Sequence, residues 1–194
     1  MCGWLVASAQ CDFRVADASG VILCYQKMQE RGCVRVTHPE LQWPYYADSM
    51  PSGRIVIPST VTWEGETYRV VEVGDNAFYG CDSLLGVDFG QVRRIGSQAL
   101  YGCTMLDSVH LSPFLVEISD GAFAYCWSLR RLVLPDALNR IGTSAFALCT
   151  GLEQVVLSPR VEGLCNATTF HGCGWLKETK NRKIGLSGEQ ILCR

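Results

Sequence analysis

The chain has 194 residues, 48% of them hydrophobic and 19% charged, with a net charge of −2 at pH 7. That length holds one domain with a sizeable interior, or a short repeat array with a cap. The charge balance argues against a nucleic-acid partner, because phosphate binding needs a concentrated basic surface, and no apolar run reaches the roughly 18 residues that would predict a membrane span.

At the N-terminus, the short apolar run in MCGWLVASAQ ends in Ala7-Ser8-Ala9, which fits the small-residue site of a secretory signal. A positive start is missing and the apolar run is short for a signal. Residues 1–19 are therefore expected to be a truncated signal segment or N-terminal tail, with an ordinary strand as the alternative. A lipid-modified Cys11 is the weaker reading, since the residues before it form a poor lipobox.

From Gly20, the runs VILCYQKM and CVRVTHP flank Gln29-Glu30-Arg31-Gly32 and predict a hairpin joined by a Gly-containing turn. Cys24 and Cys33 fall on its two arms, where a cross-strand disulfide is open to them in an oxidising compartment. Pro39, Pro44 and Pro51 with three aromatics mark a loop from Pro39 to Gly53. RIVIP and TYRVVEV then predict a second strand pair around Trp63-Glu64-Gly65-Glu66. Residues 20–72 are expected to be a β-strand cap, covering the open end of a repeat array that begins at Val73.

From Val73 to Leu176 one pattern recurs about every 23 residues. Its frames are VGDNAFYGCDSLLGVDF, IGSQALYGCTMLDSVHL, ISDGAFAYCWSLRRLVL and IGTSAFALCTGLEQVVL, with a degraded fifth, LCNATTFHGCGWL. Cys81, Cys103, Cys126, Cys149 and Cys173 anchor them at steps of 22, 23, 23 and 24. A fixed period with Leu at set offsets marks a leucine-rich solenoid, because each unit can bury its apolar face only against its neighbours. The Leu-x-x-Val-x-Leu segment is expected to be a short strand, stacked in parallel on the next to make one continuous sheet. Leu84, Val87 and Phe89, and their counterparts Leu106, Val109 and Leu111, Leu129, Leu132 and Leu134, and Leu152, Val155 and Leu157, should point inward. The Ala-Phe segment on the opposite side is expected to be a helical or 3₁₀ turn. The expected fold is mostly β with short helical turns: a right-handed solenoid of about four to five coils over residues 73–176, then a polar C-terminal cap or tail at 177–194.

Ile-Gly, Ala-Phe, Cys, then Leu-x-x-Val-x-Leu and a proline just beyond (Pro113, Pro135, Pro159) resembles the BspA-type, or Treponema pallidum-type, leucine-rich repeat family. The lead-in from Arg54 to Tyr68 resembles the strand and turn that commonly precede the first repeat there. Leu100 stands where that pattern has Phe, and Phe89-Gly90 where it has Leu-Pro. The resemblance implies a secreted or surface-exposed protein of the kind found on bacterial and protozoan surfaces, where members are implied in adhesion to host or matrix proteins.

Of the chain's 11 cysteines, the five that share one slot of the repeat are expected to form a buried, structural free-thiol column, since stacked side chains point the same way rather than at each other. Cys2, Cys11, Cys24, Cys33, Cys165 and Cys193 remain free to pair. His38, His110 and His171 are scattered, and Cys165, His171 and Cys173 supply too few ligands at unhelpful spacing for zinc. No catalytic residue, metal or cofactor is expected, and a thiol hydrolase is the remote alternative. Asn166-Ala167-Thr168 is a glycosylation sequon, a tripeptide common by chance.

What remains is a surface. The residues between the inward ones should face solvent: Gly86, Asp88 and Gly90; Ser108, His110 and Ser112; Arg131, Val133 and Pro135; Gln154, Val156 and Ser158. Of these, Asp88, Ser108, His110, Arg131, Val133, Gln154 and Val156 are the candidate binding strip. Solenoids use such extended faces to bind proteins. The expected function is a non-catalytic protein-binding or adhesion module, a monomer facing a matrix or cell-surface protein; the alternative is a spacer array within a larger protein.

Overall fold

Alternation of apolar and polar residues gives the N-terminal third its strands. The computed structural model describes residues 11–40, 45–46, 50–157 and 159–173. The segment before Cys11, the end of the fifth frame and the tail 177–194 lie outside the described residues. Strand β1 (Phe13–Ala16) pairs antiparallel with β2 (Ile22–Lys27), and β2 with β3 (Cys33–Thr37). Part of the stretch expected to be a tail is thus the first strand of a sheet. In the β2/β3 hairpin Cys24 faces Thr37, not Cys33, so the register rules out the cross-strand disulfide between the two cysteines; both are free.

Three more strands complete this third: β4 (Gly53–Val56), β5 (Thr60–Trp63) and the long β6 (Glu66–Val73). The second of these folds back antiparallel on β6, while β6 lies parallel to β3. Strand β4 leaves this sheet altogether and pairs in parallel with β7 (Leu84–Asp88), the strand of the first frame.

Each of the second to fourth frames then supplies two strands where the sequence promised one. The Leu-x-x-Val-x-Leu segments give β7, β9 (Ser108–His110), β11 (Arg131–Val133) and β13 (Gln154–Val156). The residues at and before the recurring isoleucine give β8 (Arg94–Ile95), β10 (Glu117–Ile118) and β12 (Arg140–Ile141). These two-residue strands continue β6 in one unbroken parallel ladder, β6-β8-β10-β12. The Leu strands do not form the single continuous sheet expected of them. They make two pieces, β4-β7-β9 and β11-β13, and among the described residues no backbone hydrogen bond joins β9 to β11.

The Ala-Phe segments form turns closed by i→i−3 bonds, such as Tyr79 N–H to Asn76 and Tyr101 N–H to Gln98, but no continuous helix, for a definable reason. Along the Ala-Phe segment every second N–H donates to the next frame instead of to its own chain: Asn76, Phe78 and Gly80 bond the carbonyls of Ser97, Ala99 and Tyr101, and Gln98, Leu100 and Gly102 those of Asp120, Ala122 and Ala124. An α-helix would need those donors for its own i→i−4 bonds. Left-handed residues enforce the choice, with φ of 56° at Asn76, 53° at Gln98 and 56° at Ser144. The only helix among the described residues is α1 (Pro159–Glu162).

One core fills the space between the two ladders. Leu84, Val87, Leu132 and Val155 enter it from one side, Ile95, Ile118 and Ile141 from the other. Phe123, Phe146 and Phe170 stack through its middle at 5.2 and 5.3 Å. Each fully buried side chain of this size contributes about 1.5–3 kcal/mol. The glycine of Ile-Gly is fixed by contact: a β-carbon at Gly96 or Gly142 would strike Asp75 or Asp120 of the preceding frame, whose carboxylates accept the N–H of Ser97 and Thr143 at 2.8 Å.

Candidate functional site

The register of the Leu strands sets two rows on their outer face. Arg54, Gly86 and Ser108 lie in one row across β4, β7 and β9, and Val56, Asp88 and His110 in the next. Beyond the break, Arg131 lies beside Gln154 and Val133 beside Val156.

The two halves of this strip differ in what their polar atoms are doing. Arg54 lies across Gly86, donates from Nη2 to both carboxylate oxygens of Asp107 at 3.1 and 3.0 Å, and reaches Ser108 Oγ from Nη1. A side chain at position 86 would collide with that guanidinium. Asp88 turns its carboxylate onto the N–H of Gly90 at 2.9 Å. So Asp88 and Ser108, both half-buried, are committed to the protein's own contacts. His110, Arg131 and Val133 are exposed, Val133 by 47%, and Gln154 and Val156 are half-buried. Arg131 has no ion-pair or side-chain hydrogen-bond partner among the described residues.

Several assignments on this face change. Gly86 is buried under Arg54, and Ser112 is buried because its hydroxyl accepts the Phe114 N–H to start a turn. Val109 and Leu111, expected to point inward, pack against the core but are only half-buried; they sit in the frame that borders the break. Ser158 lies outside the described residues. The sequence reading missed Arg54 and Val56, which extend the strip by one strand. The signal was present: Arg54-Ile55-Val56-Ile57-Pro58 repeats the alternation and the closing proline of the later strands.

The five repeat cysteines are buried and free. Four of them donate their thiol protons to the carbonyl at the Phe slot of the preceding frame: Cys103 to Phe78 at 3.2 Å, Cys126 to Leu100 at 3.3 Å, Cys149 to Phe123 at 3.1 Å and Cys173 to Phe146 at 3.0 Å. Burial pushes Cys81 up to about 12 and raises Cys103 and Cys126, while contact with the preceding thiol raises Cys149 and Cys173. A thiol that holds its proton this firmly is a poor nucleophile. His171, beside Cys173 in sequence, is exposed while the thiol is buried.

The opposite ladder carries a feature that the sequence reading did not anticipate. Arg35, Glu72, Arg94, Glu117 and Arg140 occupy matching positions on β3, β6, β8, β10 and β12. Their charges alternate, and neighbours pair at 3.4, 2.7, 3.6 and 2.9 Å. Among the described residues no group of His, Cys, Asp and Glu is arranged to hold a metal ion. No helix among them is long and apolar enough to cross a membrane.

Two stacked ladders with Leu, Cys and Phe in fixed slots, repeated frame after frame, find their counterpart in the family profile of the BspA type leucine rich repeat region, which matches residues 71–184 in six copies. The chain belongs to that family. Among solved structures it is similar to the leucine-rich repeat protein of Treponema pallidum, at 30% identity and a TM-score of 0.56, over 79% of this chain and 76% of that one. A leucine-rich repeat protein from Bacteroides ovatus shares the fold at 24% identity and a TM-score of 0.60, over 84% of this chain. This chain spans 45% of the Bacteroides protein's length. A leucine rich cell surface protein from Faecalibacterium prausnitzii is similar at 22% identity and a TM-score of 0.53, over 76% of this chain and 43% of that one. No curated protein matches the chain.

Proposed function

We propose that this member of the BspA-type family is a right-handed solenoid of about four to five coils whose Leu-strand face binds a protein partner at a cell surface or in the extracellular space. The observation that carries the reading is the contrast within the strip. Arg131 stands unpaired beside exposed Val133, whereas Arg35, Arg54, Arg69, Arg94 and Arg140 on the ladder strands each have a carboxylate. Protein interfaces favour arginine and concentrate their energy near the centre of the patch. Half-buried Val156 continues the apolar margin of Val133 on one side, while exposed Val56 stands at the far end of the row beyond Asp88 and His110. The family and the surface location of the Faecalibacterium protein support an extracellular setting for the partner.

The test is a double replacement, Arg131→Ala with His110→Ala, read by binding to immobilised matrix proteins and to whole cells. Affinity should fall by about 1–3 kcal/mol with the melting temperature nearly unchanged, because neither side chain is in the core. Glu153→Ala, at the strand's edge and already paired with Arg130 at 3.0 Å, is the control and should leave binding intact. Equal binding by parent and double variant, or an equal loss in the control, overturns the reading.

A further inference from the structure

The turns that join the Ile ladder to the Leu strands change character half-way along the array. The residue after the Phe slot is Tyr79 and then Tyr101 in the first two frames, Ala124 and Ala147 in the third and fourth, and His171 in the fifth. Backbone bonds fix the register of these residues, the carbonyls of Tyr101, Ala124, Ala147 and His171 each accepting an N–H from the frame before. Tyr79 and Tyr101 stack ring on ring at 4.9 Å, and there the row of rings at this position stops. Beyond it the two alanines, both buried, leave a hollow of about 600 Å³ that is bounded along the array by Tyr101 and His171.

The residue that follows has a positive φ in every frame. It is glycine in the first, second and fifth: Gly80 at 70°, Gly102 at 73° and Gly172 at 74°. Beside the two alanines it is instead Tyr125 at 63° and Leu148 at 59°. Glycine takes this conformation freely and an L-residue is strained in it, so strain is concentrated where the hollow lies. The strained pair lines it, with Tyr125 against Tyr101 at 5.0 Å. From the start of the same turns come Gln98, Thr143 and Ser144, whose side-chain polar atoms have no hydrogen-bond partner among the described residues. No lysine or arginine is among the described residues of the lining, and its one carboxylate, Asp120, already accepts the Thr143 N–H at 2.8 Å.

We propose that this hollow binds a neutral carbohydrate, one sugar ring of which sits over Ala124 and Ala147 between Tyr101 and His171. A recess with apolar walls and a few convergent polar groups is the general form of a small-molecule site. The Gln98 amide and the Thr143 and Ser144 hydroxyls can each donate and accept, which matches hydroxyl groups that do both. Tyr125, Leu148 and the alanines offer apolar contact to the C–H faces of the ring. An anionic ligand is disfavoured, because Asp120 meets it with like charge and no cation of the lining offsets the cost of removing it from water. The site lies on the turns, apart from the Leu-strand face, and stands whether or not that face binds a protein.

The experiment uses the full chain with maltose, cellobiose, lactose and N,N′-diacetylchitobiose as probes, read by saturation-transfer NMR and titration, and a sulfated heparin disaccharide as the anionic comparison. At least one neutral disaccharide should receive saturation, and the sulfated one should receive none. The main variant is Ala124→Tyr with Tyr125→Gly, which writes the Tyr-Gly pair of the second frame into the third. It fills the hollow with a side chain that the same turn carries elsewhere and removes a strained residue, so binding should vanish while the melting temperature is kept. Gln98→Ala and Ser144→Ala should each weaken binding by about twofold to tenfold, the worth of one hydrogen bond. These single variants decide the matter if the filled one does not fold. Arg131→Ala with His110→Ala should bind the sugar as the parent does, which separates this site from the Leu-strand face. No transfer to any neutral probe, equal transfer to the sulfated disaccharide, undiminished binding in the folded filled variant, or undiminished binding in both single variants overturns the proposal.

Discussion

The two ladders are built from the same frames, yet one is closed and the other open. On the β6-β8-β10-β12 side every step is hydrogen-bonded, and each carboxylate of the row sits between two arginines. Strands of two residues are held in register by charge on their outer face and by Ile95, Ile118 and Ile141 on the inner one. The Leu-strand side has longer strands and a larger apolar contribution, but its hydrogen bonding lapses between β9 and β11, next to an arginine without a partner. Opposite charges directly across neighbouring strands stabilise a sheet, and a buried charge must be paired. The closed ladder has therefore used its polar groups on itself, and the open one leaves Arg131 unspent.

Burial offers the largest test of that difference. Leu132→Ala and Ile118→Ala each empty a site with no solvent exposure and should cost about 2–5 kcal/mol by the transfer and cavity terms. Val109→Ala, beside the break, removes a smaller side chain that is already half in water and should cost about 1 kcal/mol. Denaturant unfolding of the three variants measures this. A loss at Val109 as large as that at Ile118 would mean that the two ladders are equally well packed and that the break has no energetic meaning.

The charged row comes next. Glu72 is 8% exposed and serves both Arg35 and Arg94, so Glu72→Ala leaves two arginines facing each other across the vacated position. Breaking a fully buried pair costs about 3–5 kcal/mol. Because the Arg94 side chain is a third exposed, water can recover part of the loss, and about 2–3 kcal/mol is expected. Arg54→Ala, which breaks an exposed pair with Asp107 on the open side, should cost about 1 kcal/mol or less. The order of these two values carries the comparison, and thermal unfolding at fixed pH reads it. If Arg54→Ala is the more damaging, the clamp over Gly86 holds the fold together and the Leu-strand face is structural.

The sequence was legible where its signals repeat. Cysteine, phenylalanine and leucine recur in fixed slots because each must fill the same volume in every frame, and that regularity exposed the repeats, their inward faces and the residues between them. The second ladder stayed hidden because two-residue strands have no alternation to read. Its charge row was nonetheless written at the repeat period, with Glu72, Arg94, Glu117 and Arg140 at steps of 22, 23 and 23, and pairing charges one repeat apart would have found it. The segments were expected to be helical or 3₁₀ turns because Ala-Phe favours a helix locally; alternate donors are claimed by the next frame, which leaves isolated i→i−3 turns rather than a helix. The break at β9 has no sequence signature: Leu106, Val109 and Leu111 keep the same spacing as every other frame. Arg54 was overlooked on the strip because its strand precedes the first anchoring cysteine.

The finest distinction lies between two ion pairs, one repeat apart in each case and different only in surroundings. Arg94 meets Glu72 at 2.7 Å with the carboxylate nearly buried; Arg130 meets Glu153 at 3.0 Å with side chains 71% and 68% exposed. Coulomb attraction at these separations is similar in vacuum, so any difference in worth comes from the dielectric and from side-chain entropy. A double-mutant cycle isolates each pair from the cost of its single replacements. For Arg130 and Glu153 the coupling should be about 0.2–1 kcal/mol and should vanish in about 1 M salt, where the screening length falls to roughly 3 Å. For Arg94 and Glu72 it should exceed about 1 kcal/mol and survive the same salt, since screening ions cannot enter between β6 and β8. Equal salt sensitivity would place both pairs in the same solvent and remove the electrostatic reason for calling one ladder closed and the other open.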